Sequence, residues 1–223
     1  MRPKMMTLAL AVVLSATPVL ETLAENTPPR LRNPSLIEYP WGLANLHGIY
    51  NGYAVIRFHV DADGNPSDFI CIETNHPGLG DVAIAGIQRS GLRPAMENNQ
   101  PTEVITTLRV DFMPGGGAAV EVSSLDHKIA SPRDLDEPLR FRVEPVPFVA
   151  VDDEGNPFSG EARVEFFIDR DGSVKLPRVL SATNEHVAQV AMRTVREFQF
   201  APPLRRGKPV PVRVVQPFRF GNP

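Results

Sequence analysis

The chain has 223 residues, of which 42% are apolar and 22% charged, and its formal net charge is -3. This composition suits one large or two small packed domains, excludes a chain that is disordered throughout, and gives no support to a nucleic-acid binder. The 23 prolines and 16 glycines favour strands and turns over a helical bundle, and the single cysteine, Cys71, excludes an internal disulfide and a zinc site built from several thiolates.

Residues 1–24 have the pattern of a secretory signal peptide. Two basic residues precede the uncharged segment Met5–Leu20. That run of about 16 residues is shorter than the roughly 20 that a membrane-spanning helix needs. Ala24, or alternatively Ala16, supplies a small residue at the cleavage site. We therefore predict export to the periplasm with loss of the leader; the alternative is that the segment is retained as an inner-membrane anchor.

The rest of the chain reads as two copies of one unit, related by a shift of 108 residues. Residues 52–112 align with 160–220 without a gap and are identical at 12 of 61 positions, and turns, prolines and apolar positions coincide. Self-similarity at a fixed period is the signature of a repeated structural unit. We predict a first domain over 33–113, a linker over 114–137 and a second domain over 138–223.

Each unit is predicted to begin with a β-hairpin. Apolar residues alternate with other residues along 54–60 and 162–168, as in a strand with one buried face. Asp-Ala-Asp-Gly and Asp-Arg-Asp-Gly follow, and Asp and Gly are typical turn residues. Second strands are expected at about 66–74 and 173–181.

A helix and a last strand complete each unit. In the second unit, apolar residues recur at helical spacing at Val187, Val190, Ala191, Val195 and Phe198. A weaker counterpart lies within 82–87, and Pro94 and Pro202 stand beyond the two helix ends. The last strands are expected at about 102–112 and 210–220. The predicted fold class is α+β: two tandem small domains, each with a β-hairpin, a helix and a final strand that form an antiparallel sheet covered by the helix.

The segment between the units is rich in glycine and polar residues. Gly115-Gly116-Gly117 begins it, and a polar stretch follows over Ser123–Pro138. Two short apolar segments, Leu139–Val143 and Val146–Val151, are candidates for additional strands of the second unit.

Several motifs recur in the same order in both units. The second unit carries Phe-Phe-Ile-Asp-Arg-Asp-Gly over Phe166–Gly172, then Phe200-Ala201-Pro202 and Gly207-Lys208-Pro209-Val210. The first unit carries Tyr39-Pro40 before a short helix, Val-Asp-Ala-Asp-Gly over Val60–Gly64, and Leu92-Arg93-Pro94-Ala95. Taken together, these motifs resemble the C-terminal domain of the TonB family of energy transducers. In the first unit Asn99-Gln100-Pro101-Thr102 replaces the family's Gly-Lys-Pro-Val, and Asn is the residue that best replaces Gly at positive φ.

The resemblance implies a protein-binding role. In this family the domain binds an extended peptide segment of outer-membrane receptors, which pairs with an exposed sheet edge. By analogy the candidate edges are 102–112 and 210–220, and the candidate partner-binding residues are Tyr39, Pro40, Val210, Val212 and Val214. Two alternatives remain open: prolines near 210–220 protect that edge from pairing, or the two units occupy each other's edges.

Charge suggests a second interpretation. Residues 160–223 contain 11 Lys and Arg against 6 Asp and Glu, whereas residues 25–159 contain 10 against 19. Arg205, Arg206 and Lys208 are candidates to bind an acidic partner, an anionic envelope polymer or the chain's own first domain. The plainer alternative is that they form an ordinary solvated surface.

The sequence offers little for catalysis. The five histidines lack metal-ligand spacing, and the carboxylate pairs Asp61/Asp63 and Asp169/Asp171 are explained by hairpin turns, because position 12 of a calcium loop would be Ile72 or Leu180 instead of Glu. His59 is expected to be solvent-exposed and Cys71 to lie in the core. We predict that the protein is not an enzyme and takes no cofactor.

We therefore predict an envelope protein whose partner is a protein or peptide, with an outer-membrane receptor segment as the leading candidate. Self-association through sheet edges is a further option; nucleic acid and small-molecule substrates are not expected. Residues 25–35 span at most about 40 Å when extended, which argues against a complete transducer that crosses the periplasm. The alternative functions are a membrane-anchored transducer component and a binder of anionic polymer.

Overall fold

The computed structural model describes residues 26–48, 51–113, 117–123, 129–143 and 159–221. The predicted signal peptide over 1–24 and the candidate strand over 146–151 lie outside these residues. Within the described part of the chain, no helix is both long enough and apolar enough to span a bilayer.

The first unit folds as a four-stranded antiparallel sheet with a helix on one face. Its elements are β1 (Arg30–Leu31), a 3-10 helix (Pro34–Leu36), α1 (Trp41–His47), β2 (Gly52–Val60), β3 (Pro66–Thr74), α2 (Pro77–Ser90), β4 (Leu92–Arg93), β5 (Ala95–Glu97), β6 (Gln100–Thr102), β7 (Val104–Met113) and β8 (Gly117–Val122). The sheet order is β3-β2-β7-β8. One face of β2 packs on α2, where Ile56 and Phe58 form a buried cluster with Leu79, Ala83 and Ile87.

The second unit repeats this plan with three strands in its main sheet. Its elements are a 3-10 helix (Pro132–Asp134), β9 (Phe141–Val143), β10 (Gly160–Ile168), β11 (Val174–Ala182), α3 (Glu185–Glu197), β12 (Gln199–Phe200), β13 (Leu204–Arg205), β14 (Lys208–Pro209) and β15 (Val212–Phe220). The sheet order is β11-β10-β15, all antiparallel. The core again lies between sheet and helix, where Val164 and Phe166 meet Val187, Ala191 and Val195.

The predicted α+β fold is confirmed, with hairpin, helix and last strand at the predicted places in both units. The linker prediction differs from the structure. Residues 117–122, expected to lie between the domains, form β8 and pair with β7 from Leu108↔Val122 to Met113↔Gly117. Because Ala118 and Val120 pack against the first core, these residues belong to the first sheet. The candidate edge 102–112 is therefore not an edge strand.

The hairpin turns explain the paired carboxylates. The Asp61 carboxylate accepts hydrogen bonds from the backbone of Asp63 and from the backbone and side chain of Asn65. Those bonds, the Asn65 side chain first, lower the pKa of Asp61. Asp171 accepts a hydrogen bond from the Ser173 backbone at 2.8 Å in the second turn. Across the described residues, no group of three or more His, Cys, Asp or Glu could hold a metal ion.

The two units pack against each other through the sheet faces that the helices leave open. Val55, Ile70 and Ile72 of the first unit form a buried cluster with Phe167 and Leu176 of the second. Each of the five is at most 8% exposed, so the contact between the units has a buried apolar cluster of its own. The chain is thus built from two helix-covered sheets that lie back to back.

Candidate functional site

β15 is the outer strand of the second sheet. It pairs along its whole length with β10, from Gly160↔Phe220 to Ile168↔Val212. On its other side the described residues provide one backbone bridge, near the start of the strand: Ala130 forms a parallel bridge to Val212 and accepts a hydrogen bond from the Arg213 N–H at 2.9 Å. Beyond that bridge, no strand in the described residues pairs with the outer side of β15.

The direction of the Arg213 N–H fixes which backbone groups face outward. Successive residues of a strand direct their N–H and C=O groups to opposite sides. Since the backbone N–H of Arg213 points away from β10, the backbone groups of Val215, Pro217 and Arg219 point away from it too. We call these three residues the open edge. Their side chains lie on the exposed face of the strand.

Pro217 interrupts the row of backbone donors along the open edge. Pro217 has no N–H, and its outward position means that the lost donor costs the β10–β15 ladder nothing. The Gln216 side chain donates to the Pro217 carbonyl at 2.9 Å. This local bond competes with a neighbouring strand for the same carbonyl oxygen. Pro217 leaves the middle of the edge without a donor, while Val215 and Arg219 keep their outward groups; whether the proline protects the edge stays a prediction.

The predicted valines have a different role from the one expected. Val212 and Val214 are 0% and 7% exposed and belong to the second core, and Val210 packs against it. The backbone groups of Val212 and Val214 face β10. Alternation in the sequence shows which side chains are buried, but it does not show which residues direct their N–H and C=O groups toward the neighbouring strand. For that reason the sequence missed Val215 and Arg219.

Tyr39 and Pro40 lie in the first unit. Tyr39 is 7% exposed and belongs to the first core, and its ring meets the Trp41 ring edge-on at 4.6 Å between centroids. Pro40 is half-buried, and α1 begins directly after it. The pair therefore starts the short helix, as predicted. It lies in the unit whose last strand is covered by β8.

The predicted basic residues lie together on one hairpin. Arg205 and Lys208 pair across β13 and β14, and Arg206 at the tip has a positive φ of 54°. The Asp136 carboxylate accepts hydrogen bonds from the N–H groups of Arg206 and Gly207, both at 2.8 Å. These bonds lower the pKa of Asp136 and tie the turn to the segment before β9. The basic side chains themselves are exposed.

A buried carboxylate organises the face of the second sheet that meets the first unit. The Glu165 side chain is 1% exposed and accepts hydrogen bonds from Arg178 at 2.5 Å and from Arg213 at 2.6 Å. Burial acts to raise the pKa of Glu165, but the bonds from the two arginines outweigh it and the pKa is lowered. The Arg57 guanidinium of the first unit stacks 5.3 Å from the centre of the Phe167 ring. Burial lowers the pKa of Arg57 and the charge of Glu165 opposes that shift.

A cleft of about 660 Å³ opens where the units meet. His59 lies in it with its Nε2 3.5 Å from a carboxylate oxygen of Glu103, and Arg178 and Arg196 line the opposite wall. His59 was expected to be exposed and is instead half-buried, because the second unit covers this face. Cys71 is 7% exposed in the first core, as expected, and burial raises the pKa of its thiol.

Comparison with known proteins points to one family. The family model described as the Gram-negative bacterial TonB protein C-terminal matches the chain twice, at residues 44–114 and 156–221. These two segments cover most of the two repeats. No curated protein and no solved structure matches the chain.

Proposed function

This chain belongs to the family of the Gram-negative bacterial TonB protein C-terminal domain, and on that premise we propose that it is a non-catalytic envelope protein that binds an extended segment of another protein along β15. The observation that carries the proposal is the outer side of β15, where the backbone groups of Val215 and Arg219 have no strand paired to them among the described residues. Unpaired backbone groups of an edge strand supply affinity for an added strand, and side chains supply specificity.

The proposed partner is a periplasmic segment of an outer-membrane receptor. Family members interact with such receptors, and among the described residues no group of three or more His, Cys, Asp or Glu could hold a metal ion. In such a role the hydrogen bonds to the partner come from the backbone of β15. The buried Val212 and Val214 then anchor the strand on the second core.

The proposed location is the periplasm, reached through the leader over 1–24. The intact mass of the protein isolated from cells tests this. Loss of about 24 residues with release in the soluble periplasmic fraction supports the proposal. A full-length chain that fractionates with the inner membrane would favour an anchored transducer instead.

An anionic polymer is a weaker candidate partner. Arg213 bonds to the buried Glu165, and Arg219 lies 3.0 Å from Glu161, so two basic residues of β15 already have partners. Arg205, Arg206 and Lys208 remain exposed on their hairpin. Exposed basic side chains on one hairpin are typical of an ordinary solvated surface, and we do not propose this function.

The binding role is tested with synthetic peptides that cover the extended periplasmic segments of outer-membrane receptors from the same cell. Calorimetry on the mature chain measures affinity at two salt concentrations. Backbone pairing predicts an affinity that changes little with salt, whereas attraction between exposed charges weakens at high ionic strength. Absence of binding to every receptor segment would refute the proposed partner.

A further inference from the structure

The two repeats differ at their last strands. β7 and β15 occupy the same position in the repeat, and the residues of β7 that correspond to the open edge are Thr107, Arg109 and Asp111. In the first unit β8 pairs with this side, and the Ser123 N–H donates to the Thr107 carbonyl at 2.9 Å. The outward side of β7 is therefore closed by the chain itself. The first unit thus shows how a strand, β8, pairs with the outward side of the last strand of the repeat.

β8 shows what such a strand needs in its side chains. Ala118 and Val120 pack against the first core, while Glu121 points to the exposed face opposite Arg109. A strand with small or β-branched residues at every second position therefore covers the core side. A carboxylate at an intervening position, such as Glu121, lies on the opposite face and stays exposed to solvent.

The effect of this covering is visible in the residues beneath. Val110 and Phe112 of β7 are 0% and 1% exposed. Their counterparts on β15, Phe218 and Phe220, stack on each other with 6.1 Å between ring centroids and remain half-buried. The second unit thus presents two aromatic rings at the place where β8 completes the first core.

Charge favours an acidic occupant. Arg213 is committed to the buried Glu165, but the Arg219–Glu161 pair is formed by side chains that are 86% and 69% exposed. Such a surface pair contributes little and exchanges readily with another carboxylate. The corresponding position in the closed edge is Asp111, which pairs with Arg109, so that edge has no net charge whereas the open edge carries the positive charge of Arg219.

We infer that the two edges have divided roles: β8 permanently closes the first, and only the second accepts a partner, an extended acidic segment patterned like β8. This inference rests on the proposed function, and it adds the pattern of the segment and the choice of unit. The occupant places small or β-branched side chains over Phe218 and Phe220. In the register of β8 its carboxylate lies opposite Pro217 and diagonal to Arg219 on the same face, and the segment bonds to the backbone of Val215 and Arg219.

A second copy of β8 joined to the second unit tests this directly. Gly221 corresponds to Met113, so a copy of residues 114–123 appended after Gly221 repeats the hairpin that closes the first edge. The readout is amide hydrogen exchange at Val215 and Arg219, followed by NMR. We expect exchange at both amides to slow by about tenfold or more, because the tether gives the added strand a high effective concentration.

The matched control has the same extension with the copies of Val120 and Glu121 exchanged. Composition and net charge are unchanged, but the valine now faces water and the glutamate faces the aromatic rings. We expect little protection from this control. Equal protection by both extensions, or by neither, would overturn the proposed pattern. Protection of the two amides in the unextended chain at every concentration would also overturn it, since residues of the chain itself would then close the edge.

The same variants separate this inference from the proposed function. If the β8 copy protects β15 and no receptor segment binds the natural chain, the inference stands and the receptor proposal fails. If a receptor segment binds and the β8 copy neither protects the amides nor reduces that binding, the inference fails and the receptor proposal stands.

Discussion

The backbone N–H of Leu176 donates a hydrogen bond to the carboxylate of Asp68, and these two residues stand at the same position of the two repeats. Both have left-handed backbone, with φ of 50° and 52°, and both lie where a β-bulge interrupts the pairing of the hairpin strands. The two bulges therefore meet where the units contact each other, beside the buried cluster that includes Leu176.

Replacement of Asp68 is expected to loosen this contact. Asp68→Ala removes the acceptor for the Leu176 N–H and puts a residue with less tolerance for positive φ at a bulge, so the free energy of unfolding should fall by about 1–3 kcal/mol. Asp68→Asn keeps an oxygen acceptor and tolerates left-handed backbone, so its cost should be smaller. Denaturant unfolding measures both. Asp63→Ala, at an exposed turn position, is the control; an equal loss in all three variants would contradict the assignment.

The Glu165 cluster is expected to make stability depend on pH. The pKa of Glu165 is lower in the folded chain than its ordinary value of 4.5, so its contribution is fully present above 4.5 and is lost as the pH falls from there through the lower pKa of the folded chain. Glu165→Gln should lower the free energy of unfolding near neutral pH by about 1–3 kcal/mol and flatten its decline in acid.

The control for that experiment is Glu161→Gln. Glu161 also pairs with an arginine, but both side chains are largely exposed, so its replacement should change the free energy of unfolding by less than about 0.5 kcal/mol. Thermal unfolding from pH 3 to 7 measures all three proteins. Parallel pH profiles for the natural chain and Glu165→Gln would show that the buried carboxylate is not the titrating group.

Two glycines with positive φ should differ in their tolerance of a side chain. A Cβ on Gly172 would lie 1.9 Å from the Phe200 carbonyl oxygen, whereas a Cβ on Gly207 has nothing within 4 Å. Gly207→Ala should therefore cost about 1 kcal/mol, the price of left-handed backbone alone, and Gly172→Ala should cost clearly more. Chemical denaturation of the two variants checks the order; a reversed order would contradict the described turn.

Proline scanning of β15 should separate edge pairing from folding. Val215→Pro removes an outward N–H without removing a bond to β10, so we expect a folded chain whose affinity for a receptor segment falls by about tenfold. Val215→Thr keeps the N–H and changes only the side chain, and it should bind normally. Circular dichroism verifies folding and calorimetry measures affinity. Unchanged affinity in a folded Val215→Pro variant would exclude this amide from the site.

The opposite change should strengthen binding. Pro217→Val restores a donor in the middle of the open edge, and one additional hydrogen bond is worth about 1 kcal/mol, or roughly fivefold in affinity. Pro209→Val, in the hairpin β13–β14, is the control and should leave affinity unchanged. Size-exclusion chromatography should also show more self-association for Pro217→Val, because an uninterrupted edge pairs with other copies. Equal affinities for the two variants would mean that Pro217 does not limit the edge.

Much of this architecture could be predicted from the sequence. Alternation over 54–60 and 162–168, the Asp-x-Asp-Gly turns and the helical spacing from Val187 to Phe198 are local signals, and they gave the elements of both units. β8 escaped prediction because Gly117–Val122 is short and has few strong strand formers, so its place depends on the partner strand. The contact of Arg57 with Phe167 joins residues from different units, and no local pattern announces it.

Amide exchange with and without a bound receptor segment tests the central claim most directly. NMR on the mature chain, with a synthetic receptor peptide at saturating concentration, reports every backbone amide at once. We predict slower exchange at Val215 and Arg219, and no change at Thr107, Arg109 and Asp111, which β8 already covers. Protection confined to β3 or β11, or new protection along β7 with release of β8, would contradict it.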